Sequence, residues 1–316
     1  MPAESVIHDL GYRRYDGPRL GRGQIVRALA WHSFRAAFGF GRGAKAKIVP
    51  AIALIALCLP AVINAFAMAK GDARQFTYDT YVPALRVLIM TIFVAVQAPE
   101  LVSRDLRSRV LPLYFARPIE TIDYPLAKYV AFSGACLVMM EVPLLLLYGG
   151  AIANVHGGAA VWSQTRALIP GLLLGLMWAL VLAAISLFLA SLTGRRAFAT
   201  GAVAIFLLLT WTLSMILLQA ESAPIGARAG PGGASLGPAS PLPGPSLAEK
   251  VSGLFSPFTL FDGVRQWLGG LNLGTNGGDQ VPDPGAFGVV YAVVLLALLA
   301  LCLAGLTARY RRARNS

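Results

Sequence analysis

The sequence predicts an all-α, polytopic membrane protein with six transmembrane helices. Its 316 residues are 56% hydrophobic and 13% charged, whereas about 25% of the residues in a soluble domain are charged. Six apolar stretches come close to the roughly 20 residues that a helix needs to cross a bilayer. They are continuously apolar rather than alternating, which favours helices over barrel strands. The predicted spans are residues 48–69, 82–99, 125–152, 168–192, 198–219 and 287–308.

The distribution of Lys and Arg predicts how these spans are oriented. The net charge is +12. The segments before span one, between spans two and three as far as Lys128, between four and five, and after span six hold 20 Lys and Arg residues, against six in the alternate segments. Because Lys and Arg concentrate in cytoplasmic loops, both termini are predicted in the cytoplasm, the second as a basic tail at residues 310–316. This topology explains the basic composition without a nucleic acid as partner.

The N-terminal leader, residues 1–47, contains the stretch QIVRALAWHSFRAAFGF, which predicts a helix of about four turns. Trp31, Phe34 and Phe38 fall on one side of this helix, with arginines beside them. Arginines around aromatic side chains are typical of a helix that lies at the headgroup level of a membrane. The preferred interpretation is an interfacial elbow helix anchored by these three aromatic residues. The alternative is a helix packed on a protein partner.

The transmembrane domain is predicted at residues 48–309. A long external loop, residues 220–286, lies between its fifth and sixth spans. Its first part, residues 221–246, contains six Pro and six Gly, a composition that predicts disorder or an extended excursion. The next part, residues 247–270, is too apolar for open water and too interrupted to span a membrane. Two short apolar helices that dip into the outer leaflet or cap a cavity fit this pattern.

Two charged residues within the predicted spans are candidates for a translocation path or a gate. Glu141 lies midway along the third span, and Arg86 lies in the second. A carboxylate in the bilayer core costs on the order of 3 kcal/mol, so Glu141 should face the bundle interior, a cavity or a cation. The alternative for Glu141 is an uncharged acid that is hydrogen-bonded to a neighbouring helix.

No catalytic motif accompanies these residues. The sequence has no P-loop, no G-x-S-x-G elbow and no H-E-x-x-H pair, each of which would carry a specific chemistry. The three cysteines lie far apart in apolar runs and lack the spacing of a zinc site. The chain is therefore not predicted to be an enzyme or to bind a cofactor.

The segment between spans two and three, residues 100–124, combines charges with apolar residues and prolines. Its sequence, continued to the start of span three, is ELVSRDLRSRVLPLYFARPIETIDYPLAK. It resembles the corresponding loop of the ABC type-2 export permeases, in which an acid, a basic residue, a leucine stretch, a Pro-Ile pair and a Lys follow one another. The usual glycine of that pattern is missing. The matching positions are Glu100, Arg104, Leu111, Pro118, Ile119 and Lys128.

This resemblance implies a function and a set of partners. The loop of that family carries a coupling helix that docks on a separate ABC ATPase subunit, where ATP and Mg are bound, and two permease halves pair with each other. By this resemblance the chain is a multi-pass protein of the inner (plasma) membrane, with a second permease copy or homologue as a partner. The residues expected to contact the ATPase are Glu100, Arg104, Asp105, Arg107, Arg109, Leu111 and Pro118.

Two hypotheses follow for the whole chain. The first is the permease subunit of an ATP-driven exporter, with a hydrophobic substrate because the spans offer few charged groups. The second is a six-span membrane scaffold or assembly factor without transport activity. A polytopic membrane enzyme is disfavoured, since the spans lack a polar constellation for catalysis.

Overall fold

The computed structural model describes residues 21–70, 83–107, 119–222, 247–269 and 285–315, together with Gly17 and Tyr114. Within this part of the chain every regular element is a helix, and single 3₁₀ turns occur at Gly253–Phe255 and Gly285–Phe287. The helices are α1 (Arg22–Ala37), α2 (Lys45–Ala69), α3 (Pro83–Leu101), α4 (Ser103–Arg107), α5 (Asp123–Ala153), α6 (Gly158–Ser191), α7 (Arg196–Ser222), α8 (Leu247–Ser252), α9 (Pro257–Gly269) and α10 (Gly288–Asn315).

Five helices of the described residues are long and apolar enough to cross a membrane, which indicates a membrane-embedded protein. They correspond to the first, third, fourth, fifth and sixth predicted spans. The second predicted span, residues 82–99, corresponds to α3, a helix of 19 residues that is not among the five. The five candidate spans are Lys45–Ala67, Asp123–Ala153, Gly158–Ser191, Arg196–Leu218 and Gly285–Arg312.

Helix α3 is buried over most of its surface, although Leu88 and Ile92 are exposed. Met90, Phe93 and Val94 are fully buried, and the Phe93 ring stacks on Phe132 of α5 with a centroid distance of 6.1 Å. The long helices around α3 bury one side and expose the other. On α2 the exposed residues recur every three or four positions and form one apolar stripe, as expected of a helix that faces lipid. These residues are Ile48, Ile52, Ile55, Leu59, Val62, Ile63 and Phe66.

Helices α5 and α6 are antiparallel neighbours that approach closely at two glycines. A Cβ atom at Gly171 would lie 3.0 Å from a methyl of Leu144, and one at Gly175 would overlap the carboxyl group of Glu141. Small residues let helices in a membrane pack at short distance. The two glycines thus allow α6 to lie directly against the face of α5 that carries Glu141.

Helix α1 packs along α5 over most of its length. Arg22 at its start pairs with Asp123 at the start of α5, and the Phe34 ring lies 3.5 Å from the position of a Cβ at Gly134. These two contacts are separated by 12 residues on α1, or about 18 Å along its axis. On α5 they are separated by 11 residues, or about 16 Å. The two helices therefore run in the same direction. The structure does not confirm an elbow helix that lies in the headgroup layer.

The two short helices expected after the external excursion are present as α8 and α9, and they are packed into the bundle. Phe258 and Phe261 of α9 are buried, and their rings contact Trp178 of α6 at centroid distances of 5.2 and 4.7 Å. Trp178 lies 13 residues before the end of α6 at Ser191, or about 20 Å along the helix axis. The buried face of α9 therefore packs against the middle part of α6.

Candidate functional site

Charged side chains from distant parts of the sequence meet at one end of the bundle. Helices α3, α6 and α10 end there, and α5 and α7 begin there, so the alternation of chain direction brings their termini together. The short helix α4 follows α3 at this end. We call this region the basic end. It contains the described part of the segment that was predicted to couple to an ATPase.

Glu100, near the end of α3, joins three elements through one carboxylate. Its Oε2 lies 2.6 Å from Nη2 of Arg42 in the turn between α1 and α2. Its other carboxylate oxygen pairs with Arg196, the first residue of α7. The side chain of Glu100 is only 6% exposed. Since a buried carboxylate is strongly unfavourable without a cation, the two arginines are what allow Glu100 to lie here.

Asp105 of α4 is held by a second set of contacts. Nζ of Lys128 lies 2.9 Å from its Oδ2, and the hydroxyl of Tyr124 donates a hydrogen bond to the same carboxylate. The Tyr124 ring in turn packs on Tyr310 of α10, with a centroid distance of 5.1 Å. Ser103 donates a hydrogen bond of 2.8 Å to the Ala190 carbonyl of α6. These contacts attach α4 to α5, α6 and α10.

A third, exposed contact ties α1 to the same end. Nε and Nη2 of Arg22 each lie 2.7 Å from an oxygen of Asp123, and Arg22 also pairs with Glu120. Hydrogen bonds to Asp123 and Glu120 raise the pKa of Arg22 above its ordinary value. The guanidinium fork therefore stays charged and fixes the start of α1 against the start of α5.

The residues predicted to contact an ATPase divide into those that face this chain and those that do not. Glu100 and Asp105 are engaged in the intrachain contacts above, whereas Arg107 at the end of α4 is exposed. The backbone of Arg104 lies in α4, but its side chain is outside the described residues, as are Arg109, Leu111 and Pro118. Contact of this segment with an ATPase stays a prediction.

Sequence reasoning missed the intrachain partners of these acids. The partners are Arg42, Arg196, Tyr124 and Tyr310. A physical argument predicts that such partners exist, because an acid next to an apolar span needs a cation. The sequence offers many basic residues near the ends of the spans, so this argument alone does not select Arg42 and Arg196.

Glu141 and Arg86 form a second candidate site, inside the bundle. Glu141 of α5 lies against Gly175 of α6. Both of its carboxylate oxygens are shielded from solvent, and neither has a hydrogen-bond partner among the described residues. Arg86 of α3 lies close enough for its charge to act on this carboxyl group. The structure therefore brings the two candidate gating residues near each other.

The three aromatic residues of the predicted membrane anchor do not share one environment. Trp31 is 61% exposed, and its ring stacks on Phe34 at a centroid distance of 5.6 Å. Phe34 and Phe38 are half-buried, and the Phe38 ring lies 6.4 Å from that of buried Phe93. Of the three, only Trp31 is free to contact lipid over most of its surface.

Comparison with known proteins does not assign the chain to a family. No family model matches it, and no curated protein matches it.

Proposed function

We propose that the chain is the membrane-spanning permease subunit of an ATP-driven exporter. In this proposal α3 is the second of six spans, both termini are cytoplasmic, and the basic end faces the cytoplasm. The chain pairs with a second permease half and with separate ATPase subunits that bind ATP and Mg. The observation that supports the proposal is the attachment of α4 to several long helices through shielded polar contacts.

A segment that receives force from a partner protein must be fixed to the helices that it moves. Helix α4 has five residues, too few for a stable isolated helix, so its position depends on its contacts. Asp105 links it to α5 through Lys128, and Ser103 links it to α6. A displacement of α4 therefore acts on both helices directly and on α10 through Tyr124 and Tyr310.

The two roles of the segment belong to different residues in this proposal. Glu100 and Asp105 hold the segment on the permease, and Arg107 presents a charge to the ATPase. This assignment changes the original expectation that both acids contact the ATPase themselves. Arg104, Arg109, Leu111 and Pro118 remain proposed contacts on the strength of the sequence resemblance alone.

The substrate in this proposal is hydrophobic, since the spans are predominantly apolar. Glu141 of α5 and Arg86 of α3 act in gating. Displacement of α5 relative to α6 would change the shielding of the Glu141 carboxyl, because Gly175 of α6 covers it. Movement of the basic end and access to the core are thereby connected through the same two helices.

Site-directed cross-linking tests the proposal. Arg107→Cys and Arg311→Cys place a thiol at two exposed positions of the basic end, in a background whose natural cysteines are replaced by alanine. A bifunctional cross-linker applied in native membranes should capture an ATP-hydrolysing chain from Arg107→Cys and much less of it from the matched control on α10. The proposal would be refuted if neither variant captured such a chain and the tagged natural protein retained none. Retention of other membrane proteins alone would favour the scaffold hypothesis.

A functional measurement complements the cross-linking. The permease and its captured ATPase are reconstituted in vesicles, and ATP hydrolysis is measured with a panel of hydrophobic compounds. The variant Arg107→Glu should lower substrate-stimulated hydrolysis by about tenfold or more, which corresponds to about 1.4 kcal/mol of coupling. Its thermal unfolding should match that of the natural protein, since Arg107 is exposed. Unchanged stimulation in Arg107→Glu would contradict the role of Arg107.

A further inference from the structure

The turn between α1 and α2 and the first residues of α2 form an exposed surface that the proposed function does not use. Phe40 is 51% exposed and Ile48 is 52% exposed, and Lys45 and Lys47 are exposed between them in sequence. We call these four residues the basic corner. Arg42 in the same turn pairs with Glu100, which places the corner at the basic end.

The backbone of the turn is closely packed and fixes the direction of Phe40. Gly39 and Gly41 have φ values of +77° and +80°, a region that favours glycine. A Cβ at Gly39 would lie 2.6 Å from the carbonyl oxygen of Ala46. The Phe40 amide donates a hydrogen bond of 3.0 Å to the Arg35 carbonyl. The outward position of the Phe40 ring is therefore built into the turn.

The charges of the corner have no counterion on this chain within the described residues. Residues 21–70 contain no Asp or Glu. Arg22 and Arg42 are paired with acids from other elements, but Lys45 and Lys47 form no ion pair with another described residue. Lys47 instead lies over the Phe40 ring, with Nζ 5.7 Å from the centroid, a cation–π geometry. Among the described residues, the corner thus presents two ammonium groups without an acidic partner, one of them over an aromatic ring.

The corner lies where the apolar stripe of α2 begins. Ile48, Ile52 and Ile55 continue from the lysines along the exposed side of a candidate span. In membrane proteins aromatic and basic residues at the end of an apolar span lie at the headgroup level. Phospholipid matches this arrangement, because one molecule carries a phosphate for the lysines and acyl chains for the isoleucines.

We propose that the basic corner is a binding site for an anionic phospholipid of the leaflet at the basic end. Lys45 and Lys47 contact the headgroup phosphate, Phe40 lies among the headgroups, and the acyl chains run along the stripe that starts at Ile48. Basic clusters next to a membrane span attract anionic lipids. The proposal concerns lipid selection and is independent of the proposed transport function.

Photolabelling with lipids tests the site directly. The purified full-length protein is reconstituted with photoactivatable phosphatidylglycerol or with phosphatidylcholine that carries the same probe. Labelling of the peptide that contains Phe40 to Ile52 is measured by mass spectrometry. Phosphatidylglycerol should label this peptide at least about fivefold more strongly than phosphatidylcholine, and Lys45→Gln/Lys47→Gln should bring the ratio close to one.

Three further variants separate a built site from general positive charge. Arg311→Gln/Arg312→Gln removes the same charge from exposed positions of the basic end and should change the ratio by less than about twofold. Lys45→Arg/Lys47→Arg should keep the preference, which also shows that the corner still folds. Gly39→Ala keeps every charge but strains the turn, so it should lower the labelling by phosphatidylglycerol.

Several outcomes would overturn the proposal. Equal labelling of the natural protein by the two lipids would exclude lipid selection and leave an acidic protein segment as the occupant. If the Lys45/Lys47 variant and the Arg311/Arg312 variant changed the labelling ratio equally, the preference would come from overall positive charge and not from a specific site. Displacement of the labelled lipid by millimolar soluble glycerol phosphate would indicate a small-anion site that does not depend on the acyl chains.

Discussion

The basic end and the region around α9 are both well packed, but different forces hold them. At the basic end, the carboxylates of Glu100 and Asp105 join elements by pairing with cations. Around α9 the joining groups are neutral: the Ser214 hydroxyl donates to the Ser252 carbonyl at 2.9 Å, and the Tyr291 hydroxyl donates to the Lys250 carbonyl at 2.5 Å. The described ion pair of Asp262 with Arg265 in the α9 region lies within one helix.

The difference follows from depth in the bundle. Charges at the end of a helix bundle keep part of their hydration, whereas a charge deep in an apolar environment is expensive. Hydroxyl groups and aromatic rings make specific contacts there at lower desolvation cost. The stability of the basic end should therefore depend on whether its charges remain paired. The stability of the α9 region should depend on how well its rings and glycines fit.

The largest effect is expected from breaking the pair of Asp105 and Lys128. Lys128→Met leaves the Asp105 carboxylate without its cation in a shielded site, so we expect the free energy of unfolding to fall by about 3 kcal/mol. The measurement is unfolding of the purified protein in detergent by titration with sodium dodecyl sulfate. The same substitution at exposed Lys45 is the matched control and should change little.

The double variant Asp105→Asn/Lys128→Met makes this test specific to charge. Because both charges are removed, it should recover most of the loss seen in Lys128→Met. If the double variant is as unstable as the single one, packing rather than charge pairing holds α4. That result would remove the contrast between the two regions.

The second prediction concerns fit in the α9 region. A Cβ at Gly263 of α9 would overlap the Tyr291 ring of α10, whereas a Cβ at Gly201 of α7 meets no atom within 4 Å. Gly263→Ala should lower the free energy of unfolding by about 2 kcal/mol. Gly201→Ala, the control, should raise it by up to about 1 kcal/mol, since Ala favours a helix interior. Similar results for both glycines would show that the Tyr291 contact is not tight.

The sequence was sufficient to identify the apolar helices, because continuous apolarity is a local property. The predicted first span at residues 48–69 corresponds to α2, and the sixth at residues 287–308 corresponds to α10. The fourth prediction started at residue 168, but α6 begins at Gly158. Hydropathy falls at Gln164 and Arg166, whereas the backbone hydrogen bonds of the helix continue. Polarity marks where an apolar surface ends and does not mark where a helix ends.

The contacts of the candidate site could not be predicted in the same way. Glu100 and Asp105 were recognised as functional because they are charged, but their orientation depends on residues far away in sequence. Arg42 lies 58 residues before Glu100, and Arg196 lies 96 residues after it. The local pattern of charges and prolines was the same whether the acids faced a partner or this chain. Only the packing of α3 against α7 and the α1–α2 turn decides between these cases.

The third prediction tests a neutral contact of the α9 region. Ser214→Ala removes the hydroxyl that bonds to the Ser252 carbonyl, so the free energy of unfolding should fall by about 1 kcal/mol, which is typical for hydrogen bonds between membrane helices. Ser163→Ala is the matched control, because the exposed Ser163 hydroxyl donates to the Ala160 carbonyl one turn earlier in its own helix. A loss for Ser214→Ala that varied with salt concentration would contradict a neutral origin of the contact.

The smallest effect is expected for Arg22, whose contacts with Asp123 lie at the surface. Ion pairs in contact with solvent contribute little and are screened by salt. Arg22→Gln should lower the unfolding temperature less than Ser214→Ala does, and the difference from the natural protein should shrink between about 0.1 M and about 1 M salt. Arg22→Lys should fall between the natural protein and Arg22→Gln, because it keeps the charge but cannot form the two parallel hydrogen bonds that the guanidinium makes to Asp123. A salt-independent loss in Arg22→Gln would mean that α1 is held at its start by packing, and the basic end would then resemble the α9 region more closely than its charges indicate.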